Sequence, residues 1–391
     1  MKIFFIPSGY PNVLNPVANV FLKEQLHALN AVGHKVILLN VAQKGLRQCC
    51  SNTEKGIFTD RYDGITEYRR WVCTCLQERF PNAYVKKCAR VIERLFTEAV
   101  EKEGRPDVIY AHFSFYAGYI MGKLGKKYDI PVVVQEHYSY LMEEHPSQAI
   151  LRYVQGAVEH AEIFCCVSNN LKKKIIEHLN LDTAKTMKLC LLENMLDPMF
   201  SYEPLRQNDT FGFLSVGNMN PRKNFQLLID AFCMAFSTDE KVQLRIGGDG
   251  ELRAQLEHYV QTLGREKQIL FLGRLSRAQV REENVSSNVF ALMSKKETFG
   301  IVYREALAIG RPVITSNHGG FDERLDDRDG IQVESFTVED TAAAMRHLYD
   351  NYAQYDLADI SNRCLNKYAE TVVVRKIDQI LQLAVKHKHG I

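Results

Sequence analysis

Short runs of residues that are apolar on both faces recur along almost the whole chain, separated by runs with apolar residues at helical spacing. A strand that must bury both faces belongs to a parallel sheet covered by helices, because parallel neighbours are joined by long, usually helical, crossovers. In the first half the strand-like runs are Lys2–Ile6, Lys35–Val41, Asp107–Ala111, Pro131–Gln135, Glu162–Val167 and Met187–Leu192. In the second they are Phe211–Val216, Gln243–Ile246, Ile269–Leu272, Val289–Met293 and Pro312–Thr315. Helical runs include Val17–Ala31, Asn224–Phe236, Leu252–Leu263 and Ile301–Ile309; Phe225, Leu228, Ile229 and Phe232 form one stripe. The pattern predicts an α/β protein of two doubly wound, Rossmann-like domains that bind ligand beyond the strand C-termini. Its 391 residues also exceed one ordinary core. Pro198, Pro204 and polar residues interrupt the alternation near Asn194–Asn208. The expected division is therefore residues 1–195, residues 196–370, and a terminal helical segment, residues 371–391, that returns to the first domain. Residues between about Gln43 and Pro81 receive no assignment.

With 46% hydrophobic and 25% charged residues and a net charge of +2, nothing global favours nucleic acid as a partner. The first hundred residues hold 14 Lys and Arg against 8 Asp and Glu, a hint of an anionic substrate or membrane surface; a solvated helix face is the plainer reading. Overlapping that stretch, residues Ala83–Glu103 read as an amphipathic helix with Lys86, Lys87, Arg90 and Arg94 opposite its apolar side. Packing on a sheet is favoured for it over lying on a membrane. The ten cysteines show no zinc-site spacing. Cys165 and Cys166 fall in an apolar strand, and Lys2 leads directly into a strand without a signal peptide, so the chain reads as reduced and cytoplasmic. No apolar run approaches the roughly 20 residues that span a bilayer.

Chemistry-bearing residues gather at strand ends. Strand Val289–Met293 runs into a turn with Glu297, and Gly300 opens a helix expected to carry Glu305 in its first turn. The amides and dipole of that helix end suit a phosphate, and the two carboxylates suit hydroxyls, so the pair reads as a site for a sugar-bearing diphosphate. Strand Phe211–Val216 ends in Gly217-Asn-Met-Asn-Pro-Arg222-Lys223, which places two cations before a helix, as a diphosphate requires. Gly247-Gly248-Asp-Gly250 ends the next strand and is expected to shape the pocket. In the first half, strand Pro131–Gln135 delivers Glu136 and His137, and Asp107–Ala111 delivers His112. From the local sequence alone, such histidines are more often structural than functional. Asp326-Asp-Arg-Asp329 lies in a polar loop and is not taken as a metal site.

Together these residues resemble the family-four retaining glycosyltransferases of the GT-B fold. The likeness rests on Gly217…Arg222-Lys223-Asn, Gly247-Gly-Asp-Gly, Phe271-Leu-Gly-Arg274, Glu297-Thr-Phe-Gly-Ile-Val…Glu305-Ala and Gly319-Gly…Glu323. Looser matches are Tyr10-Pro…Pro16…Phe21-Leu-Lys-Glu-Gln, Gly33-His-Lys-Val36, Asp107-Val-Ile-Tyr-Ala-His112 and Ile130-Pro-Val-Val…Glu136-His137. The resemblance implies two domains facing a central cleft, with acceptor on the first and a nucleotide sugar on the second. It implies that Arg222 and Lys223 hold the diphosphate, helped by the Gly300, Ile301 and Val302 amides. Gly217, Gly248 and Phe299 would line the donor, and Glu305 would accept from the ribose. Glu297 and His137 would lie beside the transferred sugar. The implied chemistry is metal-independent transfer with retention, from a UDP- or GDP-linked sugar to a glycan or lipid-linked acceptor, in surface polysaccharide or glycolipid synthesis, with possible membrane contact. Two residues depart from the pattern: Asn218 stands where relatives often have Arg, and Asn19 where they often have Gly. The other readings are a GT-B epimerase and a non-catalytic nucleotide-sugar-binding module.

Overall fold

The computed structural model describes the chain except residues 13, 15–18, 46–56, 74–79, 207, 239–240, 318–319, 321–323 and 391. It divides into two compact units, one formed by Met1–Met195 with Glu370–Ile391 and the other by Leu196–Ala369. Pro16, Cys49, Cys50, Cys75, Gly319, Glu323 and the start of the expected Val17–Ala31 helix lie outside the described residues.

The strands of the first unit are β1 (Lys2–Pro7), β2 (Lys35–Lys44), β3 (Phe58–Tyr62), β4 (Ile65–Cys73), β5 (Val108–His112), β6 (Val132–Glu136), β7 (Ile163–Cys166) and β8 (Leu189–Leu191). They form one sheet in the order β3-β4-β2-β1-β5-β6-β7-β8. All pair in parallel except β3 with β4. Ile3, Phe4, Phe5 and Ile6 are wholly buried, because helices cover both faces of β1. Helix Pro81–Glu103 buries Tyr84, Val85, Cys88, Ile92, Leu95, Phe96 and Ala99 and packs against β2 and β4. Its Lys86, Lys87, Arg90 and Arg94 are exposed.

The hairpin of β3 and β4 fills part of the stretch that the sequence reading left unassigned. Asp63 and Gly64 join the strands with φ of 49° and 78°, the left-handed pair that a type I′ turn demands and that Asp-Gly supplies. Cys73, at the end of β4, is disulfide-bonded, which corrects the expectation that every cysteine is a thiol.

Helix Glu370–His389 belongs to the first unit, where Val373, Val374, Ile377, Leu381 and Ala384 join the core of Leu22, Leu26 and Val108. Lys376 meets Glu193 at 3.0 Å, Asp378 meets His34 at 3.1 Å and Lys388 meets Asp129 at 2.8 Å.

The second unit contains β9 (Phe211–Val216), β10 (Val242–Gly247), β11 (Ile269–Gly273), β12 (Val289–Leu292), β13 (Val313–Ser316) and β14 (Gly330–Val333). Their order is β11-β10-β9-β12-β13-β14, and all pairings are parallel. Phe225, Leu228, Ile229 and Phe232 of helix Phe225–Ala235 are buried as one stripe. Asp326-Asp-Arg-Asp329 is tied by ion pairs, Asp326 to Arg328 at 2.7 Å and Asp329 to Arg363 at 2.6 Å. Both units are thus the doubly wound sheets that the sequence predicts, parallel throughout except for the β3–β4 hairpin.

If the terminal helix completes the first core, Leu381→Ala should destabilise that unit by roughly 2–5 kcal/mol, the usual cost of a large-to-small change at a fully buried site. Urea unfolding of the intact protein, with hydrogen exchange to assign the loss to residues 1–195, checks this.

Candidate functional site

In the second unit β9 is flanked by β10 on one side and β12 on the other. Crossovers leave in opposite senses there, so the loops after β9 and β12 part and expose the strand ends. The β9 loop runs through Gly217 to Asn220 and a 3₁₀ turn, Pro221–Lys223. Asn220 caps that turn, its Oδ1 accepting from Arg222 N at 3.1 Å and Lys223 N at 3.3 Å. Asn224, at φ 53°, then starts helix Phe225–Ala235.

The β9 and β10 loops are laced by backbone bonds. Gly217 N donates to Gly247 O at 3.0 Å, Met219 N to Asp249 O at 2.9 Å and Gly248 N to Gly273 O at 2.7 Å. The Gly217 and Gly248 amides therefore serve the framework, and these residues contribute space. At Gly248, with φ +129°, a Cβ would come within 1.9 Å of Gly217 O. No side chain fits there.

Across the opening, Lys295 N donates to Arg222 O at 2.8 Å, and Lys223 Nζ meets Glu297 Oε1 at 2.5 Å. Lys223 and Glu297 are each only 9% exposed. A buried pair of this kind costs desolvation on both sides, so it is better explained by a task than by stability. Beyond Glu297, Gly300 at φ 70° caps helix Ile301–Ile309. The first amides of that helix, including Ile301 and Val302, have no intrahelical carbonyl to bond. Phe299 is fixed by Arg304, whose guanidinium lies 3.9 Å from its ring centroid and donates to Phe299 O and, at 3.0 Å, to Gly320 O.

Glu305 lies in the second turn of helix Ile301–Ile309, not the first as expected from the sequence. The residue is 1% exposed, and its carboxylate is ion-paired with Arg277. Burial pushes its pKa up, and the Arg277 charge and hydrogen bond pull it down. Sequence reasoning missed Arg277. The signal was Ser276-Arg-Ala-Gln279, a capping box directly beyond β11, which puts Arg277 at the first position of helix Arg277–Ser286.

His137 belongs to the first unit, whereas the residues above belong to the second. It follows β6, and His112 ends β5, its neighbour. His112 Nδ1 and His137 Nε2 are 3.1 Å apart. Phe21 and Phe113 pack on His137, and Phe5 and Tyr110 on His112. Burial lowers both pKa values; for His137 the fall from 6.5 is to about 3, opposed by a hydrogen bond with Asn194. Both rings are therefore neutral. Glu136 supports the turn, accepting from His137 N at 2.8 Å, Tyr138 N at 2.7 Å and Ser114 N at 2.8 Å.

The structure thus brings Arg222, Lys223 and Glu297 together, with Gly217, Gly248, Phe299, Gly300, Ile301, Val302 and Glu305 on the same strand-end side of the second sheet. Asn19 adopts φ 49°, the left-handed conformation natural to Gly, and its Nδ2 donates to Gly9 O at 3.3 Å. Asparagine tolerates that conformation, so the departure leaves the backbone intact. Asn218 is exposed.

The neutral histidines give a pH test. Because their folded pKa values are lowered, the unfolded chain binds more protons below the ordinary value of 6.5, and stability should fall as pH drops from there toward about 3. Urea unfolding across that range should show a shallower slope for a His112→Phe, His137→Phe double variant.

Residues 202–369 match the model for glycosyl transferases group 1, and residues 18–187 match that for glycosyltransferase family 4. The chain is 23% identical to alpha-monoglucosyldiacylglycerol synthase of Streptococcus pneumoniae over 70% of this chain and 66% of that protein. It thus spans about two thirds of that relative's length. Among solved structures it aligns with Anabaena HepE in complex with UDP over 98% of this chain and 100% of that one, at 20% identity and a TM-score of 0.72. With sucrose-phosphate synthase from Thermosynechococcus elongatus the alignment covers 98% of each, at 17% identity and a TM-score of 0.76. At such identities the structural likeness shows the fold. The two family matches, carried on two doubly wound parallel-sheet units, make this chain a GT-B glycosyltransferase of the family-four type.

Proposed function

We propose that the chain is a retaining hexosyltransferase that moves a sugar from a UDP- or GDP-linked donor to a hydroxyl of a glycan or lipid-linked glycan, without a metal ion. The observation that carries this reading is the buried Lys223–Glu297 pair beside the N-terminus of helix Ile301–Ile309. Arg222, Lys223 and the amides of Gly300, Ile301 and Val302 take the diphosphate; Glu305 accepts from the ribose hydroxyls. Glu297 lies against the transferred sugar and fixes Lys223. His137 is assigned a sugar contact on the family resemblance alone.

The acceptor oxygen bonds to the anomeric carbon on the face from which the phosphate oxygen departs. That departing oxygen takes the acceptor proton. Two cations and fixed amides stabilise the charge that develops on the diphosphate, an electrostatic role that requires no reorganisation during the step.

The choice of UDP is supported by a fold relative whose structure holds it, HepE. A lipid-linked acceptor is supported by the name of the relative that makes a glucosyldiacylglycerol. Among the described residues no helix is long and apolar enough to cross a membrane. Action at the cytoplasmic face of a membrane is proposed, with the exposed Lys86, Lys87, Arg90 and Arg94 drawn to anionic lipid.

Calorimetric titration with UDP, GDP and ADP in chelator should show binding of one nucleotide. Lys223→Ala should weaken it by about tenfold to a hundredfold, as for a lost charged hydrogen bond. Absence of binding by all three overturns the reading. With a competent donor and acceptor, Glu297→Gln should lower turnover by about a hundredfold, and proton NMR of the wild-type product should show the donor's anomeric configuration. An inverted product rejects retention, and release of an epimerised nucleotide sugar rejects transfer altogether.

A further inference from the structure

Arg277 occupies a position that the helix it begins does not explain. A cation at the first residue of a helix opposes the dipole, which favours acidic groups there. Helix Arg277–Ser286 already has its cap from Ser276, whose side chain accepts from Gln279 N. The guanidinium instead extends to three features of the surrounding unit. It pairs with the carboxylate of Glu305, lies 3.6 Å from Asp197 Oδ2, and has its Cζ 4.7 Å from the centroid of the Phe200 ring.

Each of those features is itself fixed. Asp197 Oδ1 accepts from Met199 N at 3.0 Å, and Asp197 O accepts from Phe200 N at 2.9 Å. One helical turn on, Arg281 Nε donates to Met199 O at 2.9 Å and its Nη2 pairs with Glu203. The segment from Asp197 to Glu203 is thereby clamped to the helix, and Arg277 is clamped between that segment and Glu305. The Glu305 side chain is 2% exposed, whereas that of Arg277 is 24% exposed. The carboxylate is the buried member of the pair, and the arginine reaches it from the more accessible side.

We propose that Arg277 is a positioning residue for donor recognition, holding the Glu305 carboxylate in the orientation from which it accepts hydrogen bonds from the nucleotide ribose. The proposal rests on the ribose role assigned to Glu305 above. An aliphatic residue in place of Arg277 leaves a buried carboxylate without its counter-charge, next to Asp197. Such a group turns away or takes a proton, and in either case loses acceptor capacity toward a hydroxyl. Burial already favours the protonated form, and Arg277 is the group opposing it.

The test compares UDP with 2′,3′-dideoxy-UDP, which keeps the base and diphosphate and lacks the ribose hydroxyls. Wild-type protein should bind the dideoxy compound about tenfold more weakly than UDP, the scale of one charge-assisted hydrogen bond. Arg277→Met should weaken UDP by a similar factor and leave dideoxy-UDP unchanged. Arg277→Lys, which keeps the charge, should recover part of the loss for UDP alone. A variant that weakens both ligands equally, or neither, overturns the positioning role while the donor site stands. Equal binding of the two ligands by wild type removes the ribose role of Glu305 and the proposal with it. Failure of UDP, GDP and ADP all to bind is the separate result that removes the transferase reading.

Discussion

A parallel sheet cannot be wound in one direction only without leaving a face bare, so its crossovers must divide between the two faces. At the point of division, neighbouring strands send their chains to opposite sides, and the ends of those strands stay uncovered. In the second unit that point falls between β9 and β12. The two loops that part there carry Lys223 and Glu297, 74 positions apart in sequence, whose side chains bridge the opening. The bond from Lys295 N to Arg222 O crosses the same opening, while the close approach of Gly248 to Gly217 ties the β10 loop to that of its neighbour β9.

The charges gathered there are expensive. Lys223 with Glu297, and Arg277 with Glu305, take ions out of water in places where apolar residues would pack at lower cost. Arg304 likewise lies buried between Phe299 and Tyr368. A chain selected only for stability would have little reason to keep such groups at one end of one sheet. Their concentration beside a helix N-terminus is what the proposed site for a charged, hydroxyl-rich ligand requires.

Period and polarity made much of the fold readable. Strand Phe211–Val216 and helix Ile301–Ile309 have the limits their apolar patterns imply. The hairpin Phe58–Cys73 was hidden because its strands, rich in Thr, Asp, Arg and Glu, lack a long apolar run. Its Asp63-Gly64 turn was the available clue. The strand-end cations and carboxylates could be recognised because turns and helix starts leave local marks. Arg277 could not be paired with Glu305 from spacing, since the pairing joins residues 28 positions apart on different helices. The contact of His112 with His137 likewise depends on the lateral order of β5 and β6, which a linear pattern does not state.

The route of the chain through its two units has a consequence for biosynthesis. Residues 1–195 emerge first, yet the core they build also needs Val373, Ile377 and Leu381. The unit formed by residues 196–369 is continuous and has every one of its strands before that last helix is made. On a ribosome, where domains commonly fold in order of emergence, the first unit to begin is therefore the last to finish. Until residues 370–389 are released from the exit tunnel, an apolar groove beside Leu22 and Leu26 stays open.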